Sequence, residues 1–107
     1  MRNGLPLPDR LHSFNQYTVR VPARYRDRMA TYFKAEGIGC DIYYPLPLHL
    51  QECMAHLGHR PGDFPHSEEA ARAVLSLPMF PEITPEQQRQ VVEACAVFVR
   101  QQVRMAA

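Results

Sequence analysis

Gly37-Ile38-Gly39-Cys40-Asp41-Ile42-Tyr43-Tyr44-Pro45-Leu46-Pro47-Leu48-His49 sets the architecture of this chain, because an alternating pattern stops there at prolines flanked by tyrosines and a histidine. Ile38, Cys40, Ile42 and Tyr44 fall on one face at period two, with Gly39, Asp41 and Tyr43 on the other, the pattern of a half-buried strand. Pro45 and Pro47 end it, since proline has no N–H for a ladder and pushes the residue before it to an extended conformation. Tyr44 and Leu46 are therefore expected in a stiff, extended connection that aims side chains at little entropic cost.

On the N-terminal side of this stretch, Phe14 to Val21 alternates as a first strand, with Tyr17, Val19 and Val21 on one face and Gln16, Thr18 and Arg20 on the other. Pro22 closes it. Arg24 to Glu36 then reads as a helix, with Tyr25, Met29 and Phe33 recurring every four residues beside Tyr32 and with Arg26, Asp27, Arg28 and Lys34 elsewhere. Gly37 suits the position just past its end. Residues 1–11, with Gly4, Pro6 and Pro8, read as a linker remnant ahead of a domain over 12–107.

On the C-terminal side, Leu48 to Leu57 reads as a short helix ending at Gly58, and Arg60 to Pro65 as loop. Ser67 to Leu75 reads as another short helix with Glu68 and Glu69 in its first turn, where negative charge meets the positive helix end. Leu75 to Pro81 suits a brief strand or extended crossover. Thr84-Pro85-Glu86-Gln87 opens a last helix with a threonine cap, a proline in the first turn and a glutamine able to reach back. Its apolar stripe reads as Val92, Cys95, Ala96, Val99 and Val103, with Phe98 beside it. No internal repeat is visible.

The chain has 107 residues and a formal charge of +1, enough for one modest core and too balanced for a continuous basic surface, so neither nucleic acid nor membrane is expected as a partner. A cytoplasmic protein is expected, because the N-terminus shows no signal-peptide pattern and no apolar run is long enough to cross a bilayer. Cys40, Cys53 and Cys95 are odd in number and lie in apolar patterns, which points to reduced, mostly buried thiols.

Two chemical constellations are weak. Cys53, His56 and His59, with Asp63 and His66 downstream, carry metal-ligand types, but residues six apart do not share a helical face and Gly58 interrupts before His59, so no metal is assigned. His49 and Cys53 stand four apart as a thiol and a base would, without a third group to orient them. Gly37-Ile38-Gly39 lacks the third glycine of a phosphate loop and precedes a strand. Tyr43 and Tyr44 divide by alternation into one core ring and one surface ring unless a ligand claims them, and His49 is either a surface or capping residue or part of a site.

The order of short motifs adds a resemblance. His12 with Gln16-Tyr17-Thr18-Val19-Arg20, Arg26-Asp27 with Gly37-Ile38, Tyr44-Pro45-x-Pro47-Leu48-His49, Gly62-Asp63-Phe64-Pro65, Glu68, Leu75-Ser76-Leu77-Pro78 and Pro81-x-x-Thr84 follow one another. Together they resemble the C-terminal small domain of the DegT/DnrJ/StrS family of pyridoxal-phosphate sugar aminotransferases, from His12 to about Val103. The resemblance implies an α+β fold, a small mainly antiparallel sheet with flanking helices, like the small domain of fold-type I aminotransferases. It also implies transfer of an amino group to a nucleotide-linked keto sugar, for polysaccharide or secondary-metabolite synthesis, by an enzyme that is a homodimer in its complete form.

Such chemistry needs a lysine amine at the cofactor, and the only lysine is Lys34, in no family lysine motif. The family's large domain, which holds pyridoxal phosphate, is the partner implied, in cis or in trans. By itself this chain is expected to bind no cofactor and to carry no catalytic residue or activity. Carried over by position, Tyr43, Tyr44 and His49 are the substrate-binding candidates, while Arg20 is a candidate for an ion pair with Asp41 or a helix end. A stand-alone sugar-nucleotide-binding or interaction module is the alternative.

Overall fold

The computed structural model describes residues 2–3 and 7–106. Three strands, β1 (Arg2–Asn3), β2 (Tyr17–Arg20) and β3 (Val74–Leu77), form an antiparallel sheet in the order β1-β2-β3. Three α-helices flank it: α1 (Ala23–Ala35), α2 (Pro65–Ala73) and α3 (Pro85–Ala106). This is the α+β fold expected of the chain, and β1 lies inside the segment read as linker. Tyr17 pairs with Leu77 and Val19 with Leu75, so alternation puts these four on one face of the sheet.

That face carries the core. Met29 and Phe33 of α1 are fully buried, as is Leu75 of β3, and Val19, Val21, Ile38 and, from α3, Ala94 and Phe98 complete the cluster. The four-residue spacing of Tyr25, Met29 and Phe33 thus makes α1 the main cover of the sheet. Gly37 ends α1 at φ 73°. Its N–H donates to the Lys34 carbonyl at 3.1 Å and the Ile38 N–H to the Phe33 carbonyl at 2.8 Å, the paired bonds of a Schellman end with Ile38 as its apolar contact.

Ahead of α3 the Thr84 Oγ1 accepts from the Gln87 N–H at 3.1 Å, and the Gln87 Oε1 accepts from the Thr84 N–H at 2.9 Å. This reciprocal cap satisfies two donors that have no partner inside the helix. Thr84→Ala is therefore expected to cost about 1 kcal/mol of unfolding free energy, read by urea denaturation; an unchanged midpoint would show that the cap does not hold α3.

Several expectations are corrected. Residues 38–44 do not form a strand: Asp41 alone makes an isolated bridge to Ser76. Tyr44 turns to φ 55° instead of extending before Pro45, and its side chain is 65% exposed. The left-handed turn there ends the alternation, so only Ile38, Cys40 and Ile42 keep to the inner face. The first strand is shorter than Phe14 to Val21, with Phe14 itself at φ 52°.

Leu48 to Leu57 is two short 3-10 turns, Leu48–Leu50 and Glu52–Leu57, separated where Gln51 adopts extended backbone at ψ 144°. The helix expected over Ser67 to Leu75 starts two residues earlier, at Pro65, and gives way to β3 at Val74. On α3 the inward face is Val91, Ala94, Cys95 and Phe98, while Val92, Val99 and Val103 are exposed. These three valines mark a second, exposed stripe beside the inward one.

Arg26, placed with the polar side of α1 by periodicity, is buried: its guanidinium donates to the carbonyls of Ala71 at 2.7 Å and Val74 at 3.2 Å, tying α1 to the α2–β3 junction. The cysteines are free, but Cys53 is exposed and Cys40 and Cys95 are half-buried. Burial pushes the thiols of Cys40 and Cys95 up from the ordinary value. No helix among the described residues is long and apolar enough to cross a membrane.

Candidate functional site

The proline corner and α2 enclose an open cleft of about 460 Å³, and Tyr43, Tyr44 and His49 all line it, with Pro47, Phe64 and Ala70. Two local devices put them there. The left-handed turn at Tyr44 throws both phenol rings outward, and the 3-10 turn that follows Pro47 folds His49 back toward α2. Tyr43 also lines a second cleft, of about 530 Å³, beside Asp41 and Met79.

His49 is neither a surface residue nor a helix cap. Its side chain is 8% exposed, with its ring meeting Phe64 edge-on at 4.8 Å and His59 at 6.3 Å. Behind it stands Glu68, also nearly buried, whose carboxylate accepts the Gly62 N–H at 2.8 and 3.0 Å. In the sequence Glu68 stood as a first-turn acid and as one of the motif residues of the resemblance, without a site role. Phe64 read as a loop residue within the Gly62-Asp63-Phe64-Pro65 motif, and its packing against two imidazoles becomes visible only in three dimensions.

The same loop holds an exposed carboxylate. Asp63 accepts the Arg60 N–H at 3.0 Å and lies 3.3 Å from the His59 Nδ1. The Arg60 N–H keeps the Asp63 carboxyl below its ordinary value near 3.8 against the opposing effect of desolvation, with His59 adding to the lowering. A depressed folded value favours the ionised form, so this contribution to the loop is present above the unfolded pKa and is lost as pH falls through the folded one. Acidification below about pH 4 is expected to weaken amide protection at Arg60, and Asp63→Asn to reduce that pH dependence; protection independent of pH in the unaltered chain would contradict this.

The remaining candidates do not converge. Among the described residues no three His, Cys, Asp or Glu side chains gather so as to hold a metal ion. Cys53 is exposed, with its thiol directed at the Gln51 Oε1 at 3.8 Å. Arg20 pairs with Glu69, in the middle of α2, at 3.6 Å across an exposed surface, which is neither the Asp41 nor the helix-end partner expected of it. Such a surface pair contributes little.

Lys34 is exposed on α1 and lines none of these clefts. The described residues therefore do not fit pyridoxal phosphate. What they offer is a cleft wall of two phenols and an imidazole, suited to stacking on a ring and to hydrogen bonding with hydroxyls.

Comparison with known proteins bears on this wall. The model of the DegT/DnrJ/EryC1/StrS aminotransferase family matches residues 3–96. A Geobacillus stearothermophilus protein described as a pleiotropic regulatory protein is 52% identical over 91 residues, covering 85% of this chain and 24% of its own length. The UDP-N-acetyl-3-dehydro-alpha-D-glucosamine 3-aminotransferase of Acidithiobacillus ferrooxidans is 46% identical over 76 residues, covering 71% of this chain and 20% of its own. The crystal structure of Streptomyces venezuelae DesV in complex with a ketimine intermediate matches with a TM-score of 0.78 at 33% identity, over 85% of this chain and 24% of that one. The chain spans a quarter or less of the length of these curated relatives.

Proposed function

The chain belongs to the DegT/DnrJ/EryC1/StrS aminotransferase family, and on that premise we propose that it forms the C-terminal small domain of a pyridoxal-phosphate-dependent nucleotide-sugar aminotransferase. Its contribution is the substrate-side wall of the site. The cofactor and its lysine belong to the large domain, in cis or in trans, and the chain has no transaminase activity without it. A UDP-sugar aminotransferase among the relatives supports a nucleotide-linked keto sugar as substrate.

One observation carries this reading: the three residues drawn from a single proline-bounded corner line one open cleft. In the reading, Tyr43 and Tyr44 present phenol faces and hydroxyls to the sugar nucleotide, and His49 contacts it from the cleft floor. The exposed Val92, Val99 and Val103 of α3 give the large domain apolar surface to cover, as contiguous exposed apolar residues on one helix face do at interfaces. Polysaccharide or secondary-metabolite synthesis in the cytoplasm is the setting that goes with such an enzyme.

Titration with UDP- and dTDP-sugars, followed by NMR at Tyr44 and His49, tests the wall. With the large domain present, saturable shifts at both residues are expected, and Tyr44→Ala is expected to weaken binding about tenfold, the loss of one good contact. Unresponsive Tyr44 and His49 signals in that pair would overturn the reading. Saturable binding by the chain alone would favour a stand-alone sugar-nucleotide-binding module instead.

A further inference from the structure

Among the described residues, the His49 Nε2 is the buried side-chain nitrogen left without a hydrogen-bond partner. The Glu68 Oε2 lies 3.8 Å from it, and both side chains are less than a tenth exposed. That distance is beyond a hydrogen bond yet too short for a well-angled bridging water. A small shift of the corner closes it, as hydrogen bonds at unliganded sites commonly tighten on binding. Glu68 is meanwhile fixed from the other side, because both of its oxygens accept the Gly62 N–H.

Resting on the substrate-wall reading, we infer that Glu68 is a positioning residue for His49: its carboxylate takes the Nε2–H and leaves Nδ1 as the acceptor for a sugar hydroxyl in the cleft. An ionised carboxylate only accepts, so the ring nitrogen facing it must donate. A neutral imidazole has one N–H, and committing it to Nε2 makes Nδ1 the acceptor. Phe64, packed edge-on at 4.8 Å, limits how far the ring can turn. The wall then selects a ligand that donates a hydroxyl proton at that point.

The isosteric variant Glu68→Gln separates this role from simple packing. Its amide oxygen must keep the Gly62 N–H, which turns the NH2 group toward His49 Nε2. Two donors cannot face each other, so the imidazole proton moves to Nδ1 and the cleft loses its acceptor. Ring-nitrogen NMR of the 15N-labelled chain at about pH 8.5, where an ordinary imidazole is neutral, reads the tautomer directly. We expect Nε2–H in the unaltered chain and Nδ1–H in Glu68→Gln. With the large domain present, sugar-nucleotide affinity should fall about tenfold in the variant while pyridoxal absorbance stays unchanged.

A merely structural Glu68 would leave the tautomer alone. Nδ1–H in the unaltered chain overturns the inference even if the variant fails to fold. An unreversed tautomer with full sugar binding overturns it and leaves the substrate wall standing. A reversed tautomer with no sugar binding by either protein upholds the hold of Glu68 on His49 and overturns the substrate wall.

Discussion

Phe33→Ala is expected to lower the unfolding free energy by about 3–5 kcal/mol, the cost of a large cavity where a fully buried ring stood. Phe33 has no exposed surface, and with Met29 and Leu75 it fills the space between α1 and the sheet. A domain of this size has about 5–15 kcal/mol in total, so the loss is a large share of its stability. At a urea slope of about 2 kcal/mol per M, the midpoint should fall by about 2 M. Val92→Ala is the control: Val92 is 67% exposed on α3, and a change there should stay within about 0.5 kcal/mol. Equal shifts at the two positions would contradict the assignment of the core.

The features that were legible in the sequence are those fixed by local chemistry. The spacing of Tyr25, Met29 and Phe33 identified α1, Gly37 its end and Thr84 to Gln87 the cap of α3, because each depends on residues within a turn or two. Leu75 to Pro81 suggested a brief strand, and β3 occupies its first part, with Val74, in register with β2.

What was not legible depends on contacts far apart in the chain. Ile38 to Tyr44 alternates as a strand does, yet only Asp41 finds a partner in the sheet, since Tyr44 leaves the extended conformation. Valines at helical spacing on α3 suggested one stripe, but the core is met by Val91, Ala94, Cys95 and Phe98. Periodicity cannot tell an apolar face that meets this domain's sheet from one turned elsewhere. Arg26 has the composition of a solvated helix face; only the fold brings the Ala71 and Val74 carbonyls to it.

The candidate site divides in the same way. The resemblance at the proline corner gave Tyr43, Tyr44 and His49 as candidates, and the structure brings all three to one cleft. Nothing local could show that His49 would be buried beside Glu68, because the two are joined only when α2 packs on the corner. Lys34 is the only lysine in the sequence, and the proposed reading therefore assigns the Schiff-base amine to the large domain.

The largest functional effect expected is all-or-none. Pyridoxal chemistry requires a positioned lysine amine, which Lys34, exposed and outside the cleft, does not supply. On the proposed reading, a family large domain without this chain lacks, in turn, the residues that hold and orient the substrate, and orientation is a major part of catalysis in such a site. Each half should therefore be inactive, and the pair active. The direct measurement is to supply the large domain in trans to the purified chain and follow cofactor absorbance together with amino transfer to a UDP- or dTDP-linked keto sugar. Amino transfer by the pair and by neither half is the expected result; an intact, purified pair that never binds the cofactor would contradict the account.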